Sequence, residues 1–200
     1  NLPYNDRRWL VNWLGNGGPD SDDGVYFEVM NWRGKLLAIK GLKQTIIGAY
    51  HERYEYILGE TRFCLVPKGL GYWTHRLYEV LRAGCIPVIL SDHVVLPFQG
   101  IAGIDWTQFS VKWPEDLIGP ELYRWLLHLD AHRGARMKAA VDEVACWFDY
   151  HSDPSLSCDP VRAAAQALAI VAGFASPEEP HKLPDFWNSP KFTLVSPEEQ

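Results

Sequence analysis

The hydrophobic positions between residues 63 and 98 follow the periods of a strand, a helix and a second strand. Residues 63–66 are apolar and β-prone, and residues 85–90 have the same character. Between them, apolar residues recur at helical spacing from 75 to 83. Two buried strands joined by one helix lie parallel, so the pattern predicts a βαβ unit in an α/β fold, with a parallel sheet flanked by helices.

Proline and glycine residues stand where this unit must turn. Pro67 ends the first strand, and Gly69 and Gly71 supply flexible backbone before the helix. Thr74 can cap the helix, and Gly84 stands where a C-terminal cap is expected. The turn after the first strand lies at the carboxyl edge of the sheet, which is where ligands of such sheets bind.

The same turn collects residues that favour an anion. Free backbone N–H groups and the helix dipole attract a phosphate here. Arg76 can offer a bidentate fork to phosphate oxygens, and Glu79, one turn later, can accept hydrogen bonds from sugar hydroxyls. These features predict a nucleotide-diphosphate site, and the alternative is an ordinary exposed ion pair between Arg76 and Glu79. The residues before or within the first helical turn are Lys68, Gly69, Gly71, Thr74 and Arg76.

Less regular segments precede this unit. Residues 8–14 read as a strand that opens the sheet. Residues 25–40 suggest a short strand and a turn, and residues 43–58 suggest a helix that runs into Gly59.

After the βαβ unit the pattern predicts one more strand and then helices. The strand is expected around 109–112, a helical region begins near Pro114, and a third helix begins at Asp159 and Pro160. The tail from residue 176 is acidic and rich in proline. We therefore expect a domain over 1–175 and a surface tail over 176–200.

Composition fits one domain of moderate size. The chain has 200 residues, 47% of them hydrophobic, and a net charge of −6, which disfavours nucleic acid as a partner. It starts at Asn1 without a methionine and has no apolar run of membrane-spanning length, so we expect a fragment or a truncated relative without its own membrane anchor.

Four cysteines leave two alternatives open. Cys64 and Cys85 fall near the starts of adjacent predicted strands, where a disulfide could form. Such a bridge would indicate an oxidising compartment, and two buried free thiols would fit the spacing equally well. The pairing of Cys146 and Cys158 cannot be assigned from the sequence.

No metal site or hydrolytic triad is predicted. The aspartates at 20, 22 and 23 lack the later glycine and glutamate of a calcium loop, so a solvated turn is favoured. His128 and His132 lie four apart, but the glutamate of a zinc-binding H-E-x-x-H motif is missing. Among the nine tryptophans, Trp73 stands beside the predicted anion turn and is a candidate for contact with a sugar.

The motifs FCLVPKG, T-x-R-x-x-E, AGCIPVILSD, LPF and IDW, in this order, resemble the exostosin family, glycosyltransferase family 47. The resemblance implies the C-terminal, donor-binding half of a GT-B fold, which is a Rossmann-like domain. It implies that Arg76 holds the donor diphosphate, that Glu79 holds the ribose, and that Ser91 and Asp92 line the sugar pocket. Thr74 stands where the family often has serine, which keeps the hydroxyl group.

The function implied is transfer of a sugar from a nucleotide sugar, most simply a UDP-sugar, to a glycan or glycoprotein hydroxyl. Arg76 would stabilise the leaving diphosphate, and Asp92 is a candidate for the general base. No metal or other cofactor is expected, and an N-terminal GT-B domain or a homologous subunit is an expected partner. The resemblance implies the lumen of the Golgi or endoplasmic reticulum. The alternative is an inactive exostosin-like module that serves as a partner subunit.

Overall fold

The structure is a computed structural model, and it describes part of the 200-residue chain. The aspartates at 20, 22 and 23, the start of the third predicted helix at Asp159 and the tail 176–200 lie outside the described residues. The described residues are 1–15, 31–69, 71–101, 104–150, 158 and 160–171.

A five-stranded sheet forms the centre of the molecule, and all of its strand pairs are parallel. In chain order the strands are β1 (Trp9–Leu14), β2 (Thr45–Gly48), β3 (Thr61–Pro67), β4 (Ile86–Leu90) and β5 (Val111–Lys112). Across the sheet they are ordered β2-β1-β3-β4-β5. β1 is therefore an interior strand, and β2 lies beside it at one edge of the sheet. β3, β4 and β5 follow in order on the other side of β1.

Helices connect and cover the strands. The α-helices among the described residues are α1 (Asn31–Leu36), α2 (Tyr54–Gly59), α3 (Arg76–Arg82), α4 (Pro120–His128), α5 (Ala131–Val144) and α6 (Pro160–Val171). Short 3₁₀ helices occupy Tyr4–Asp6, Leu37–Ile39, Trp106–Gln108, Glu115–Leu117 and Ala145–Phe148. No helix in the described part of the chain is both long and apolar enough to span a lipid bilayer.

The central βαβ unit confirms the sequence prediction. β3 ends at Pro67, α3 follows, and β4 pairs with β3 in parallel, with Phe63 opposite Ile86. Gly84 has a φ of +64°, and the Cys85 N–H donates to the Val80 carbonyl, as in a glycine-terminated helix end. All five residues of β4 are buried, which is expected for a strand covered on both faces.

Two predictions before this unit are confirmed only in part or not at all. Within 25–40, residues 25–30 lie outside the described residues, and residues 31–39 form α1 and the 3₁₀ helix that follows it, because a parallel neighbour of β1 requires a crossover rather than a hairpin. Within 43–58 a helix does run into Gly59, as α2, but it begins only at Tyr54, and the chain forms β2 before it. The β-branched residues Thr45, Ile46 and Ile47 favour this strand, and Ile47 is buried in the core.

Two disulfides join parts of the chain. Cys64 in β3 is bonded to Cys85 at the start of β4, with a Cα–Cα distance of 5.9 Å, and both residues are fully buried. Cys146 is bonded to Cys158, which brings the chain before α6 against the end of α5. The structure contains no free cysteine among the described residues.

Candidate functional site

A cleft of about 310 Å³ opens at the carboxyl ends of β1 and β3. In a doubly wound sheet with the strand order 2-1-3-4-5, these two strands form the topological switch point, where ligands bind. The cleft therefore lies where the fold alone predicts a site. It is lined by Trp13, Leu14, Gly15, Tyr50, Tyr54, Pro67, Lys68, Gly69, Thr74, His75, Arg76 and Glu79.

Arg76 forms the floor of this cleft and is 7% exposed. Its Nε donates to the Leu65 carbonyl at 2.6 Å, and Nη1 donates to the Leu14 carbonyl at 3.0 Å. Nη1 also donates to the Tyr54 hydroxyl at 2.7 Å, and Nη2 donates to Asn12 Oδ1 at 2.5 Å. The side chain thus ties together the ends of β1 and β3.

These bonds change the interpretation of Arg76. Four acceptors occupy a guanidinium group that has five N–H donors, so it does not present the free bidentate fork that the sequence predicts. The exposed ion pair with Glu79, which was the alternative, is not found either. A role for Arg76 in donor binding stays a prediction, and any such role must act mainly through its charge.

The charge of Arg76 has no direct counter-ion among the described residues. Burial lowers the pKa of its guanidinium group, an effect that Tyr54 and Glu79 partly oppose. Its four hydrogen-bond acceptors are neutral, and the ion pairs of the described residues do not include it. A buried cation without a bonded carboxylate contributes positive potential to the cleft, and the Glu79 carboxylate, which also lines the cleft, partly opposes this contribution.

Tyr54 connects Arg76 to Glu79. Its hydroxyl accepts from Arg76 and donates to Glu79 Oε2 in a short hydrogen bond. Burial is the main cause that raises the pKa of Tyr54 well above its ordinary value, so the phenol stays protonated. Among the described residues, Glu79 Oε1 has no hydrogen-bond donor, and this oxygen is available to a ligand hydroxyl.

Lys68 lines the cleft, but a carboxylate holds its ammonium group. Lys68 Nζ forms a short ion pair with Glu115 Oε2, and Glu115 Oε1 accepts from the Asp92 N–H at 3.0 Å. The Asp92 Oδ1 atom accepts in turn from the Glu115 N–H at 3.2 Å. Lys68 therefore contributes less positive charge to the cleft than its sequence position suggests.

Ser91 and Asp92 do not line the cleft in the part of the chain that the structure describes. The Ser91 hydroxyl is buried and donates to the Tyr72 carbonyl at 2.8 Å. Asp92 bonds reciprocally with the Glu115 backbone and side chain. Both residues hold loops in place here, and their role in a sugar pocket and in base catalysis stays a prediction.

The glycine turn packs closely against the start of α3. The Gly69 N–H donates to the Trp73 carbonyl at 3.3 Å, and a Cβ atom at Gly69 would lie 2.9 Å from that oxygen. The Thr74 hydroxyl accepts from the Arg76 N–H at 3.4 Å, but the N-cap residue of α3 is His75, so Thr74 is not the cap that the sequence predicts. Gly71 belongs to the same turn but does not line the cleft in the described structure.

Exposed aromatic rings flank the cleft. Tyr50, which is 65% exposed, lines it from the β2 side and packs on Tyr54 with ring centroids 5.7 Å apart. Trp73 is 59% exposed and contacts His75 edge-on at 4.8 Å. Both rings offer free faces near the site.

Sequence reasoning missed Asn12, Tyr54 and Tyr50. The only signal for Asn12 is a polar residue within the apolar strand WLVNWL, where it is fully buried. Tyr54 lies at the start of α2, within the predicted helix, and Tyr50 lies in the connection after β2, but the sequence carries no signal that either side chain reaches the cleft. The structure brings together five of the predicted residues at the cleft, namely Lys68, Gly69, Thr74, Arg76 and Glu79.

The described residues contain no group of three or more metal-ligating side chains. His128 and His132 are both exposed, as expected for a surface pair.

A second cleft of about 730 Å³ adjoins the first through Tyr50, Tyr54 and Glu79 and extends along α2 to Arg82.

Comparison with known proteins identifies relatives of the chain. It is 44% identical over 70 residues to Exostosin-1 of Drosophila melanogaster, which covers 34% of this chain and 9% of that protein. It is 44% identical over 63 residues to Exostosin-2 of Bos taurus, which covers 32% and 8%. It is 34% identical over 91 residues to a "Probable glycosyltransferase" of Arabidopsis thaliana, which covers 46% and 19%.

The aligned segment is less than a fifth of the length of each of these relatives. A family model described as the Exostosin GT47 domain matches residues 6–126, which include all five strands and the whole cleft. This match covers more than half of the chain. The chain therefore belongs to the exostosin GT47 family of glycosyltransferases.

Proposed function

We propose that this chain binds the nucleoside diphosphate of a nucleotide-sugar donor, most simply a UDP-sugar, in the cleft above Arg76. In the longer protein, the bound sugar would pass to a hydroxyl of a glycan or glycoprotein. The observation that carries the proposal is a buried arginine without a bonded carboxylate at the floor of a cleft at the sheet's switch point.

Electrostatics supports a dianionic ligand. Arg76 is surrounded by neutral acceptors, and bringing a diphosphate to the cleft would supply the missing negative charge. Because the four bonds fix the guanidinium group in place, its field at the cleft needs no reorganisation when a ligand arrives. The overall charge of −6 makes this local positive potential more selective, since other surfaces repel anions.

The remaining cleft residues suit the other parts of a nucleotide. Glu79 Oε1 can accept from a ribose hydroxyl, while its Oε2 is held by Tyr54. The exposed face of Tyr50 can stack on the base. The second cleft is continuous with these residues and gives the base or the acceptor room along α2.

In the proposed sugar transfer, the positive charge of Arg76 acts on the leaving diphosphate. The acceptor oxygen attacks the anomeric carbon, the bond from that carbon to the diphosphate oxygen breaks, and negative charge grows on the leaving diphosphate. Arg76 stabilises this charge more in the transition state than in the ground state. Asp92 is the candidate base on this chain, although its carboxylate accepts a backbone hydrogen bond from Glu115.

The secretory pathway is the compartment that this proposal favours. Two disulfides are present, and disulfides persist in oxidising compartments. The family membership points the same way, and the Golgi or endoplasmic reticulum lumen is the expected site. A homologous subunit or a further domain of the longer protein is the expected partner.

Titration calorimetry of the 200-residue chain with UDP, UMP and uridine tests the proposal. We expect UDP to bind more tightly than UMP, and UMP more tightly than uridine, with an affinity for UDP that falls as salt rises. Equal affinities for UDP and uridine, or no binding of UDP, would contradict the proposal that the cleft binds a diphosphate. GDP in the same series tests the preference for uracil.

The alternative is a module that keeps the fold and has lost transfer activity. The cleft residues do not distinguish an active glycosyltransferase from an inactive module, because nucleotide binding without turnover is compatible with both hypotheses. Incubation of a longer form of the protein with UDP-sugars and an acceptor separates them. Transfer supports the enzyme, and UDP binding with neither transfer nor donor hydrolysis supports the inactive module.

A further inference from the structure

Asn12 is a polar residue at the centre of an apolar strand. It is fully buried in β1, and its neighbours Val11 and Trp13 are buried with it. Burying an amide group costs free energy unless its donors and acceptor are all satisfied. An asparagine in such a position must therefore have partners that the fold supplies.

The structure supplies a partner for every polar atom of this side chain. Nδ2 donates to Thr61 Oγ1 at 2.8 Å and to Cys64 Sγ at 3.4 Å. Oδ1 accepts from Arg76 Nη2 at 2.5 Å. Asn12 thus connects the start of β3 and the disulfide to the floor of the cleft.

The orientation of the Asn12 amide follows from the bond that Thr61 makes. The Thr61 hydroxyl donates its only hydrogen to the Ile57 carbonyl at 2.7 Å, so it can only accept from Asn12. The disulfide sulfur of Cys64 carries no hydrogen and can also only accept. Both neighbours therefore require Nδ2 on their side, which leaves Oδ1 facing the guanidinium group.

We propose that Asn12, oriented by Thr61, is a positioning residue for Arg76. It gives the guanidinium group a neutral acceptor, which fixes it at the cleft floor without cancelling its charge. A carboxylate at this position would also hold the arginine but would neutralise it. This inference rests on the proposed function, because its consequence is a cation that remains available to a diphosphate.

Substitutions at Thr61 test the proposal without changing any residue of the cleft. Thr61→Val keeps the shape but removes the acceptor of the shorter Nδ2 hydrogen bond, so Cys64 Sγ alone holds the amide and Oδ1 fixes Arg76 less firmly. We expect the affinity for UDP to fall by up to about tenfold, which corresponds to the loss of one hydrogen bond to a charged group. Thr61→Ser keeps the hydroxyl and should restore the affinity to within about twofold of the wild type.

Thr45→Val is the matched control. Thr45 is at the start of β2, and its hydroxyl donates to the Leu42 carbonyl at 2.8 Å, away from Arg76. The melting temperature should fall for both valine variants, and only Thr61→Val should lose affinity for UDP. If Thr61→Val binds UDP as the wild type does, its role is structural only and the proposal is wrong.

Asn12→Asp provides a second, independent measurement. It brings a carboxylate to Arg76, so the affinity for UDP should fall at least tenfold and depend less on salt. Circular dichroism confirms that the variant is folded. A folded Asn12→Asp protein with unchanged affinity and salt dependence would overturn the proposal.

A readout that needs no nucleotide separates this inference from the proposed function. The Nη–Hη signals of Arg76 in NMR spectra should shift in Thr61→Val and keep their wild-type positions in Thr61→Ser. If these shifts occur and the wild type does not bind UDP, the positioning role stands and the proposed function fails. If Thr61→Val leaves the Arg76 signals unchanged, the positioning role is excluded whether or not UDP binds.

Discussion

Two buried arginines stand at opposite ends of the same sheet, and they differ in what surrounds them. Arg7 precedes β1 and is 2% exposed, while Arg76 begins α3 and is 7% exposed. Arg7 bonds to the backbone at the start of β3 and to Ala83 just after α3. Arg76 bonds to the end of β1 and to Leu65 within β3. The two side chains therefore fix both ends of one βαβ unit.

The acceptors distinguish the two sites. Arg7 donates to four backbone carbonyls, those of Leu2, Leu58, Thr61 and Ala83. Arg76 donates to two carbonyls and to the side chains of Asn12 and Tyr54. Burial lowers the pKa of Arg7 to about 10, so it remains charged at neutral pH, and the charge of Asp142 opposes that shift.

The difference teaches how burial and function can be separated for one residue type. Arg7 lines neither of the two clefts described above, and its bonds only hold chain segments together. Arg76 makes as many bonds, but its charge faces a cleft and its side-chain acceptors can be varied without changing the backbone. An arginine that is enclosed by backbone, as Arg7 is, only stabilises the fold. An arginine that lines a cleft, as Arg76 does, can also interact with a ligand.

The largest expected effect comes from the disulfide that joins β3 to the start of β4. Replacing both Cys64 and Cys85 with alanine should lower the free energy of unfolding by about 3 kcal/mol, since a loop of this length is no longer closed in the unfolded chain. Cys64 Sγ also accepts from Asn12, so affinity for UDP should fall as well. Denaturant unfolding and UDP titration measure the two effects.

The second disulfide is the matched control. Replacing Cys146 and Cys158 with alanine removes a bridge with a sequence separation of 12, and neither cysteine lines the cleft. Stability should fall, and affinity for UDP should stay as in the wild type. Loss of UDP affinity in this control would show that the effect of the first disulfide is not local.

A smaller effect tests the Arg7 end alone. Gly84 has a φ of +64°, which costs other residues about 1–2 kcal/mol, and it follows Ala83, whose carbonyl accepts from Arg7. Gly84→Ala should lower the melting temperature and leave UDP binding unchanged. Gly59→Ala, at the end of α2 with no atom within 4 Å of the new Cβ, should not destabilise the protein.

The smallest effect tests the opening of the cleft. Tyr50→Ala removes the exposed ring that we expect to stack on the base, so affinity for UDP should fall by about 1 kcal/mol, or roughly fivefold. Tyr72→Ala removes a ring of similar exposure that packs on His93 outside the cleft, and it should leave the affinity unchanged. Equal losses in both variants would argue against base stacking on Tyr50.

Local signals predicted the centre of the fold and five of the twelve residues that line the cleft. Strand β3, the glycine turn, helix α3 and strand β4 follow one another between Thr61 and Leu90, and each has its own hydrophobic or turn-forming sequence pattern. The environment of Arg76 could not be predicted in this way. Its acceptors Leu14 and Asn12 lie 62 and 64 residues away in the sequence, and the orientation of the guanidinium group depends on them.

The errors before the central unit have a similar cause. Strand β2 has four residues and lies at the edge of the sheet, so its pairing with β1 decides its structure more than its own sequence does. Because β2 was missed, the sequence did not place Tyr50 and Tyr54 after the carboxyl end of a strand, and both side chains were missed at the site.

Removal of the positive charge at each of the two arginines is the most direct test of the central claim. Arg76→Gln removes the charge at the cleft, and Arg7→Gln removes the charge at the opposite end of the sheet. Calorimetry with UDP should show an affinity lower by on the order of 10²-fold for Arg76→Gln and a wild-type affinity for folded Arg7→Gln. Equal UDP affinities for the two variants would contradict the assignment of Arg76 to the donor diphosphate.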